Sequence, residues 1–283
     1  MKNLSLQSTV AFLLLSILTG CSLGSIADPE VYPVELTKSE KKHPLVKYYH
    51  NVAKASDQQY KSLVYHSPEN GLPFSDINKV LEKGYLPMEN GYTRFKDGSG
   101  YVAVNTQFPN SSGKMLDWWF EWVGYDIMRY KIWYPGLHSS ALYEKYEEPD
   151  TFSISKYVNE HPEGKTKHTI ETMRKGGKLQ DLQITFVNPK QFGIDVSQLG
   201  ENQWVICGNV ESGERLVVQM AHFVRETENG VEMRSRFWVG NKLPWIARKL
   251  AISEEQLYDL AHHCLSEYTQ LASFLPEVYE TYN

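Results

Sequence analysis

The stretch Ser253-Glu254-Glu255-Gln256, followed by residues 257–274, decides how this chain folds. Ser253 and Gln256 have the spacing of a capping box, which predicts that a helix begins here. Apolar side chains then recur every three or four positions, as expected for one face of a helix. They are Leu257, Leu260, Cys264, Tyr268, Leu271 and Leu275. The sequence therefore predicts a long C-terminal helix with one buried stripe.

The same helix carries the segment His263-Cys264-Leu265-Ser266-Glu267. His263 and Glu267 are four residues apart and should lie side by side at the edge of the stripe, whereas His262 should face water. An imidazole and a carboxylate at this spacing can offer two ligands to a divalent metal. A surface hydrogen bond is the commoner role of such a pair. Because two ligands do not close a zinc site, a metal site here requires ligands from elsewhere in the chain.

Composition predicts a globular protein and excludes some classes of partner. The chain has 283 residues, of which 41% are hydrophobic and 13% aromatic, enough to fill a sizeable core. A net charge of -5 gives no electrostatic basis for binding nucleic acid. No Cys-x-x-Cys motif occurs, which argues against a thiolate metal site. Cys207 and Cys264 could form one disulfide, but the place of Cys264 in the apolar stripe favours a buried thiol.

The N-terminus has the features of an export signal. The apolar run at residues 10–18 is too short to span a membrane as a mature helix. The following Leu18-Thr19-Gly20-Cys21 resembles a bacterial lipobox, in which the cysteine is acylated and becomes the new N-terminus. We therefore expect a signal peptide at 1–20, lipidation of Cys21 and anchoring to the outer membrane on its periplasmic side. The alternative is an ordinary secretory signal with a chance cysteine.

Residues 21–42 are polar and are predicted to form a tether between lipid and domain. Scattered apolar residues at 43–66 suggest a helix, and a second short helix should begin at Phe74. We assign residues 43–88 to a small, mostly helical N-terminal domain and residues 89–283 to the main domain. A strand at 100–108 and a helix with Trp118, Trp119 and Trp122 open the main domain. Core packing is the favoured role for these tryptophans, over a ligand-binding wall.

Strand patterns dominate the middle of the chain. Residues 165–174 and 179–187 should pair across a two-residue turn at Gly176-Gly177. A further strand is predicted at 203–210, and residues 216–225 and 231–239 should pair across a type I′ turn at Asn229-Gly230. Alternation places His222 on the apolar face of its strand. It is either a core histidine or an active-site imidazole kept neutral by partial burial.

The order of elements predicts an α+β protein. A strand, two short helices and an antiparallel run of about six strands precede the long C-terminal helix, which is the outline of a helix-grip fold of the START and pollen-allergen type. In this fold a curved sheet wraps around the helix and leaves a cavity, a default ligand site. His263 and Glu267 would line the cavity from the helix, and His222 would face it from the sheet.

Several separate motifs resemble the 2,4-diacetylphloroglucinol hydrolase family over roughly residues 85–280. The first two are Met115-Leu116-Asp117-Trp118-Trp119-Phe120 and Arg129-Tyr130-Lys131-Ile132-Trp133, followed by Pro135-x-x-His138. The others are Arg234-Ser235-Arg236-Phe237-Trp238 and the His263-Cys264-x-x-Glu267 helix running to Phe274-Leu275-Pro276.

This resemblance implies a hydrolase that uses one Zn²⁺ to cleave a carbon–carbon bond and remove the acyl group of an acylated phenol. The family's two histidine and two glutamate ligands match His138, Glu171, His263 and Glu267. His168 remains an alternative to Glu171 as the strand ligand. His222 matches an imidazole that contacts the substrate, and Tyr130 matches a phenol that reaches a substrate oxygen. The competing hypothesis is a lipid-anchored, non-catalytic carrier of a small aromatic or polyketide ligand, which would need no zinc.

Overall fold

A computed structural model of the protein describes residues 25–283 and combines helices with antiparallel sheet. The signal peptide and Cys21 lie outside the described residues. Within them, nine strands join in one sheet whose path runs β2-β3-β9-β8-β7-β6-β5-β4, with β1 paired to β6. The strands are β1 (Ser25–Ile26), β2 (Gly91–Arg94), β3 (Gly100–Pro109), β4 (His138–Leu142), β5 (Lys165–Glu171), β6 (Gln180–Val187), β7 (Gln203–Ser212), β8 (Arg215–Thr227) and β9 (Gly230–Val239). The predicted α+β class is confirmed.

Most of the helices are short and lie between strands. They are α1 (Val46–His50), α2 (Asp57–Lys61), α3 (Gly113–Trp122), α4 (Ile127–Lys131), α5 (Ile154–Glu160), α6 (Pro189–Phe192), α7 (Trp245–Ala251) and α8 (Glu254–Tyr282). Single 3₁₀ segments at Glu40–Lys42, Pro68–Asn70, Phe74–Leu81, Val123–Tyr125 and Val196–Gln198 connect them. Among the described residues, no helix combines the length and apolar character that crossing a bilayer requires.

The C-terminal helix α8 begins where the sequence predicts. The Ser253 hydroxyl accepts a hydrogen bond from the backbone N–H of Gln256 at 3.2 Å. The Gln256 side-chain oxygen accepts one from the backbone N–H of Ser253 at 2.9 Å. These reciprocal bonds satisfy two of the amides that a helix start leaves open. The helix runs 29 residues and continues past Pro276. His262 is half-buried and stacks on Tyr60 at 4.8 Å, so the prediction of a water-facing side chain is wrong.

The sheet separates two apolar clusters. On the inner face, α8 and α3 pack against alternate residues of β3, β8 and β9, including Val104, Met220 and Phe237. Trp118, Trp119 and Trp122 belong to this cluster and are at most 2% exposed, which confirms their predicted core role. On the outer face, side chains of residues 72–88 cover the opposite residues of the same strands. The outer cluster includes Leu72, Ile77, Val80, Met88, Phe223 and Trp238.

An ionic network lies on the outer face, beside residues 72–88. Glu89 accepts hydrogen bonds from Arg234 at 2.6 and 3.0 Å and also bonds Arg236. Arg234 further donates to the Val80 carbonyl at 2.8 Å. Both arginines are buried, at 2% and 0% exposure. One carboxylate therefore compensates two guanidinium groups on β9.

Both predicted hairpins form, but their turns differ from the prediction. Strands β8 and β9 pair from Thr227 opposite Gly230, which puts Glu228 and Asn229 at the tip. Gly230 has a positive φ and Asn229 does not, so the predicted type I′ turn at Asn229-Gly230 is wrong. Strands β5 and β6 pair only as far as Glu171 and Gln180, and an eight-residue loop replaces the predicted two-residue turn.

The segment before residue 89 packs closely against the rest of the chain. Residues 25–26 form β1 beside β6, and Ala27 and Leu36 are buried, so the described part of the predicted tether lies against the body. The predicted helix at 43–66 is two short helices, α1 and α2. The domain boundaries stay a prediction. Cys207 and Cys264 are buried, unpaired thiols in different clusters, on opposite faces of the sheet.

Candidate functional site

Two histidines from distant parts of the chain meet on the inner side of the sheet. His138 begins β4, just after α4, and His263 lies on α8. Their Nε2 atoms are 3.1 Å apart. Each ring is oriented by a hydrogen bond from its other nitrogen. His138 Nδ1 donates to the Tyr130 carbonyl at 3.2 Å. His263 Nδ1 donates to the Met173 carbonyl at 3.3 Å. Since a carbonyl can only accept, both Nε2 atoms carry lone pairs that face each other.

Two carboxylates approach His138. Glu267, one turn after His263 on α8, has its Oε2 3.5 Å from His138 Nε2 and 4.0 Å from His263 Nε2. Glu171, the last residue of β5, has its Oε2 3.5 Å from His138 Nε2. Burial and the charge of Glu171 raise the pKa of Glu267 well above its usual value. Burial, together with the neighbouring His263, lowers the pKa of His138 well below its usual value.

This arrangement fits a bound divalent metal. His138, His263 and Glu267 each offer a ligand atom, and these atoms lie within 4.8 Å of one another. Tetrahedral zinc with bonds of about 2.0–2.2 Å separates its ligand atoms by roughly 3.3–3.6 Å. The observed separations of 3.1–4.0 Å span that value. A cation between two facing lone pairs and two carboxylates would remove their mutual repulsion, and the backbone bonds to Nδ1 are the usual support of metal-binding histidines.

The alternative strand ligand, His168, lies elsewhere. It is three residues from Glu171 on β5, so the two side chains point to opposite faces of the strand. His168 Nε2 is 2.7 Å from Asp181 and its Nδ1 is 3.0 Å from Glu144. These carboxylates raise the pKa of His168 although burial opposes them. Of the two candidates, only Glu171 approaches His138.

Tyr130 completes one side of the site. Its ring stacks on the His138 ring, with centroids 3.9 Å apart and planes 4° apart. Its hydroxyl donates a short hydrogen bond to Glu171 Oε2. Burial and the charge of Glu171 raise the pKa of Tyr130 well above its usual value, so the phenol stays protonated at neutral pH. Its one proton is donated to Glu171, so towards a ligand in the cavity the hydroxyl oxygen can accept a hydrogen bond.

A cavity of about 340 Å³ opens from these residues between α8 and the sheet. Tyr130, Glu171, His263 and Glu267 line one end. The remaining wall is mainly apolar and includes Phe120, Trp133, Ile184, Phe186, Met220 and Phe237. An apolar cavity of this size with polar groups gathered at one end is typical of a site for a small organic ligand.

His222 is close to the cavity but does not line it. Its ring stacks on Phe120 at 5.1 Å, and its Nε2 is 3.2 Å from the hydroxyl of Tyr268. Phe120 and Tyr268 both line the cavity and thus stand between it and the imidazole. Ser235 Oγ is 2.9 Å from Nδ1. Complete burial, aided by Lys167, lowers the pKa of His222 to about 3, so the ring is neutral.

Tyr268 and Lys167 are two of the polar cavity-wall residues that were not predicted as site residues from the sequence. Tyr268 lies next to Glu267 on α8, where its place in the apolar stripe suggested only packing. Lys167 lies four residues before Glu171 on β5, and the alternation of a strand puts the two side chains on the same face. That spacing was the one signal available for Lys167, and it becomes useful only once Glu171 is placed at the site.

Comparison with known proteins identifies relatives of this chain. Residues 72–280 match the family described as DAPG hydrolase PhiG domain. The 2,4-diacetylphloroglucinol hydrolase of Pseudomonas protegens is 28% identical over 229 residues, covering 73% of this chain and 73% of that protein. The phloretin hydrolase of Eubacterium ramulus is 31% identical over 227 residues, covering 75% of this chain and 80% of that protein.

Proposed function

The chain belongs to the DAPG hydrolase family, and from that membership we propose that it is a zinc-dependent hydrolase of an acylated phenol. In the proposed reaction the carbon–carbon bond between the ring and the acyl group breaks. The hydroxyl of water is added to the acyl carbon, and hydrogen is added to the ring carbon. The observation that carries the proposal is the pair of Nε2 lone pairs 3.1 Å apart, beside two carboxylates, at the end of an apolar cavity.

We propose His138, Glu171, His263 and Glu267 as the zinc ligands. When bound, the metal supplies a Lewis acid for the acyl carbonyl and for a water molecule. The chain's own residues would orient the substrate. The apolar wall would hold the ring, and the Tyr130 hydroxyl, which donates to Glu171, would accept a hydrogen bond from a ring hydroxyl. Trp133 and Phe186 offer flat surfaces for an aromatic ligand.

We propose that His222 transfers protons through Tyr268 rather than by direct contact with the substrate. The neutral imidazole can accept a proton at Nε2, 3.2 Å from the Tyr268 hydroxyl. That hydroxyl lines the cavity and can in turn take up a proton released there. Ser235 holds the other ring nitrogen at 2.9 Å and so limits rotation of the ring. Because burial lowers the pKa of His222 to about 3, the ring is neutral at rest and would hold an accepted proton only briefly before passing it on.

Metal content and hydrolysis test the proposed function directly. We expect the purified mature protein to contain about one zinc per chain and to release a carboxylic acid from an acylated phloroglucinol. Removing the metal with a chelator should abolish release, and added zinc should restore it, as measured by elemental analysis and chromatography of the products. A metal-free protein that bound the aryl ketone without cleaving it would instead be the non-catalytic carrier.

We also propose the helix-grip type for this fold and keep the predicted division into residues 43–88 and 89–283. The packing of α8 along the inner face of the sheet, with the cavity between them, supports the fold type. The family match begins at residue 72 and thus crosses the proposed boundary at 88. The outer cluster and the hydrogen bond from Arg234 to the Val80 carbonyl join the two parts closely, so they should unfold together.

We propose that the protein is an exported lipoprotein anchored through Cys21, facing the periplasm. Ser25 pairs with Asp181 in β6, next to Gln180 at the cavity wall. Four residues span at most about 14 Å, so this anchor would hold the cavity near the membrane.

Helix α7 exposes three large apolar side chains and joins two elements that line the cavity, β9 and α8. The exposed residues are Trp245, Ile246 and Leu250.

Replacing the proposed acylated cysteine tests this location. In a Gram-negative host, the unchanged protein should appear in the membrane fraction and incorporate labelled palmitate. The Cys21→Ser variant should incorporate none and should leave the membrane fraction, as measured by fractionation and mass spectrometry of the N-terminus. Equal membrane retention of both proteins, with no label in either, would contradict lipidation of Cys21.

A further inference from the structure

Lys167 is a buried lysine that forms no ion pair with a carboxylate of the described residues. Three lysines are buried among the described residues, and two of them have carboxylates: Lys131 is 3.0 Å from Glu40, and Lys165 is 2.5 Å from Glu121. Lys167 is 2% exposed, yet no carboxylate of the described residues lies within 4.0 Å of its ammonium. Burying an ammonium costs free energy unless a partner compensates its lost hydration. The missing partner is therefore the feature to explain.

The surroundings of Lys167 point to a ligand in the cavity. The residue lines the cavity, and its ammonium is 5.9 Å from the ring centroids of Tyr130 and Trp133 and 5.2 Å from that of Phe186. Aromatic faces attract a cation but do not replace a hydrogen-bond acceptor. Burial lowers the pKa of Lys167 to about 8, against the opposing charges of Glu171 and Glu267. Among the described residues, the ammonium therefore has aromatic neighbours but no hydrogen-bond acceptor.

We propose that Lys167 is the anion anchor of the cavity and that the preferred substrate is an acylphenol bound with one ring hydroxyl ionised. The inference rests on the proposed function and specifies its substrate class. An acyl group withdraws electrons from the ring, so a hydroxyl on an acylated polyphenol ionises far more easily than an ordinary alcohol. The ammonium would bind this phenolate oxygen by a charge-assisted hydrogen bond. The same contact stabilises the ring when the electron pair of the broken bond returns to it.

The test compares Lys167→Met with Lys178→Met, the same change at an exposed lysine on the rim of the cavity. Binding is measured by calorimetry with monoacetylphloroglucinol and with its trimethyl ether, which has no hydroxyl to ionise. We expect Lys167→Met to weaken binding of the phenol at least about tenfold, the low end for a hydrogen bond to a charged group. Binding of the ether should change less than about twofold, and Lys178→Met should alter neither.

Zinc content and thermal unfolding of each variant exclude a general structural effect, and Lys167→Gln serves as a second uncharged variant of similar length. The proposal is overturned if both uncharged variants bind the phenol as the unchanged protein does, or if they weaken phenol and ether equally. It is also overturned if borohydride traps a covalent adduct on Lys167, which would make the residue a nucleophile. Because binding is measured apart from turnover, an inactive unchanged protein would refute the proposed function alone.

Discussion

The Glu267→Gln variant should lose zinc and hydrolytic activity together. The Oε2 atom of Glu267 lies 3.5 Å from Nε2 of His138 and 4.0 Å from Nε2 of His263. The glutamine side-chain amide that replaces the carboxylate is neutral and a much weaker metal ligand. Mutating a residue that merely supports a metal ligand typically lowers metal affinity or activity 10–100-fold. Losing a ligand should therefore lower kcat/KM by at least about 100-fold. Elemental analysis and the rate of carboxylic acid release, measured on the same sample, check the result.

A matched control is Glu277→Gln, the same change on the same helix. Glu277 is exposed and pairs with Lys47 at 2.5 Å, so its loss should leave zinc content and rate unchanged. Burial and Glu171 raise the pKa of Glu267, so the neutral amide relieves repulsion and the metal-free variant should fold normally. Full zinc content with full activity would refute Glu267 as a ligand. Full zinc content with low activity would give Glu267 a role in proton transfer instead.

The part of the site predicted from the sequence alone is the part encoded at short range. His263 and Glu267 are four residues apart on a helix whose start a capping box marks, and both facts are visible in the sequence. Their meeting with His138, 125 residues earlier in the chain, could be inferred only from the family resemblance. No local pattern shows the antiparallel path that brings β4 and β5 opposite α8.

The same distinction explains three of the wrong predictions about the structure. The predicted tether failed to anticipate β1 because two residues, Ser25 and Ile26, carry no strand signal of their own and pair with β6 about 155 residues later. His262 was expected in water, but Tyr60 from α2 covers it. His222 was placed correctly on the inner face by alternation, yet Tyr268, from a separate element, stands between it and the cavity. Each difference arises from a partner distant in sequence.

Removing the carboxylate of Glu89 should destabilise the protein more than any surface substitution. The Glu89→Ala variant leaves Arg234 and Arg236 buried without a counter-charge, because Glu89 bonds both guanidinium groups. Breaking one partner out of a buried ion pair costs about 3–5 kcal/mol. Urea denaturation should show this loss as a lower midpoint. The outer cluster lies across the sheet from α8, so zinc content of the folded variant should stay unchanged.

The control is Asp76→Ala, which breaks an exposed pair with Lys79 at 2.6 Å and should cost at most about 1 kcal/mol.

The effect of Glu89 should also depend on pH. Burial alone would raise its pKa, but the hydrogen bond from Arg234 and the charges of both arginines hold it below 4.5. A lowered pKa stabilises the fold fully above about pH 4.5 and loses that contribution as the pH falls through it. The difference in unfolding free energy between the unchanged protein and Glu89→Ala should therefore shrink at acid pH. A difference below about 1 kcal/mol at neutral pH would contradict the prediction, because it would show that solvent already compensates the arginines.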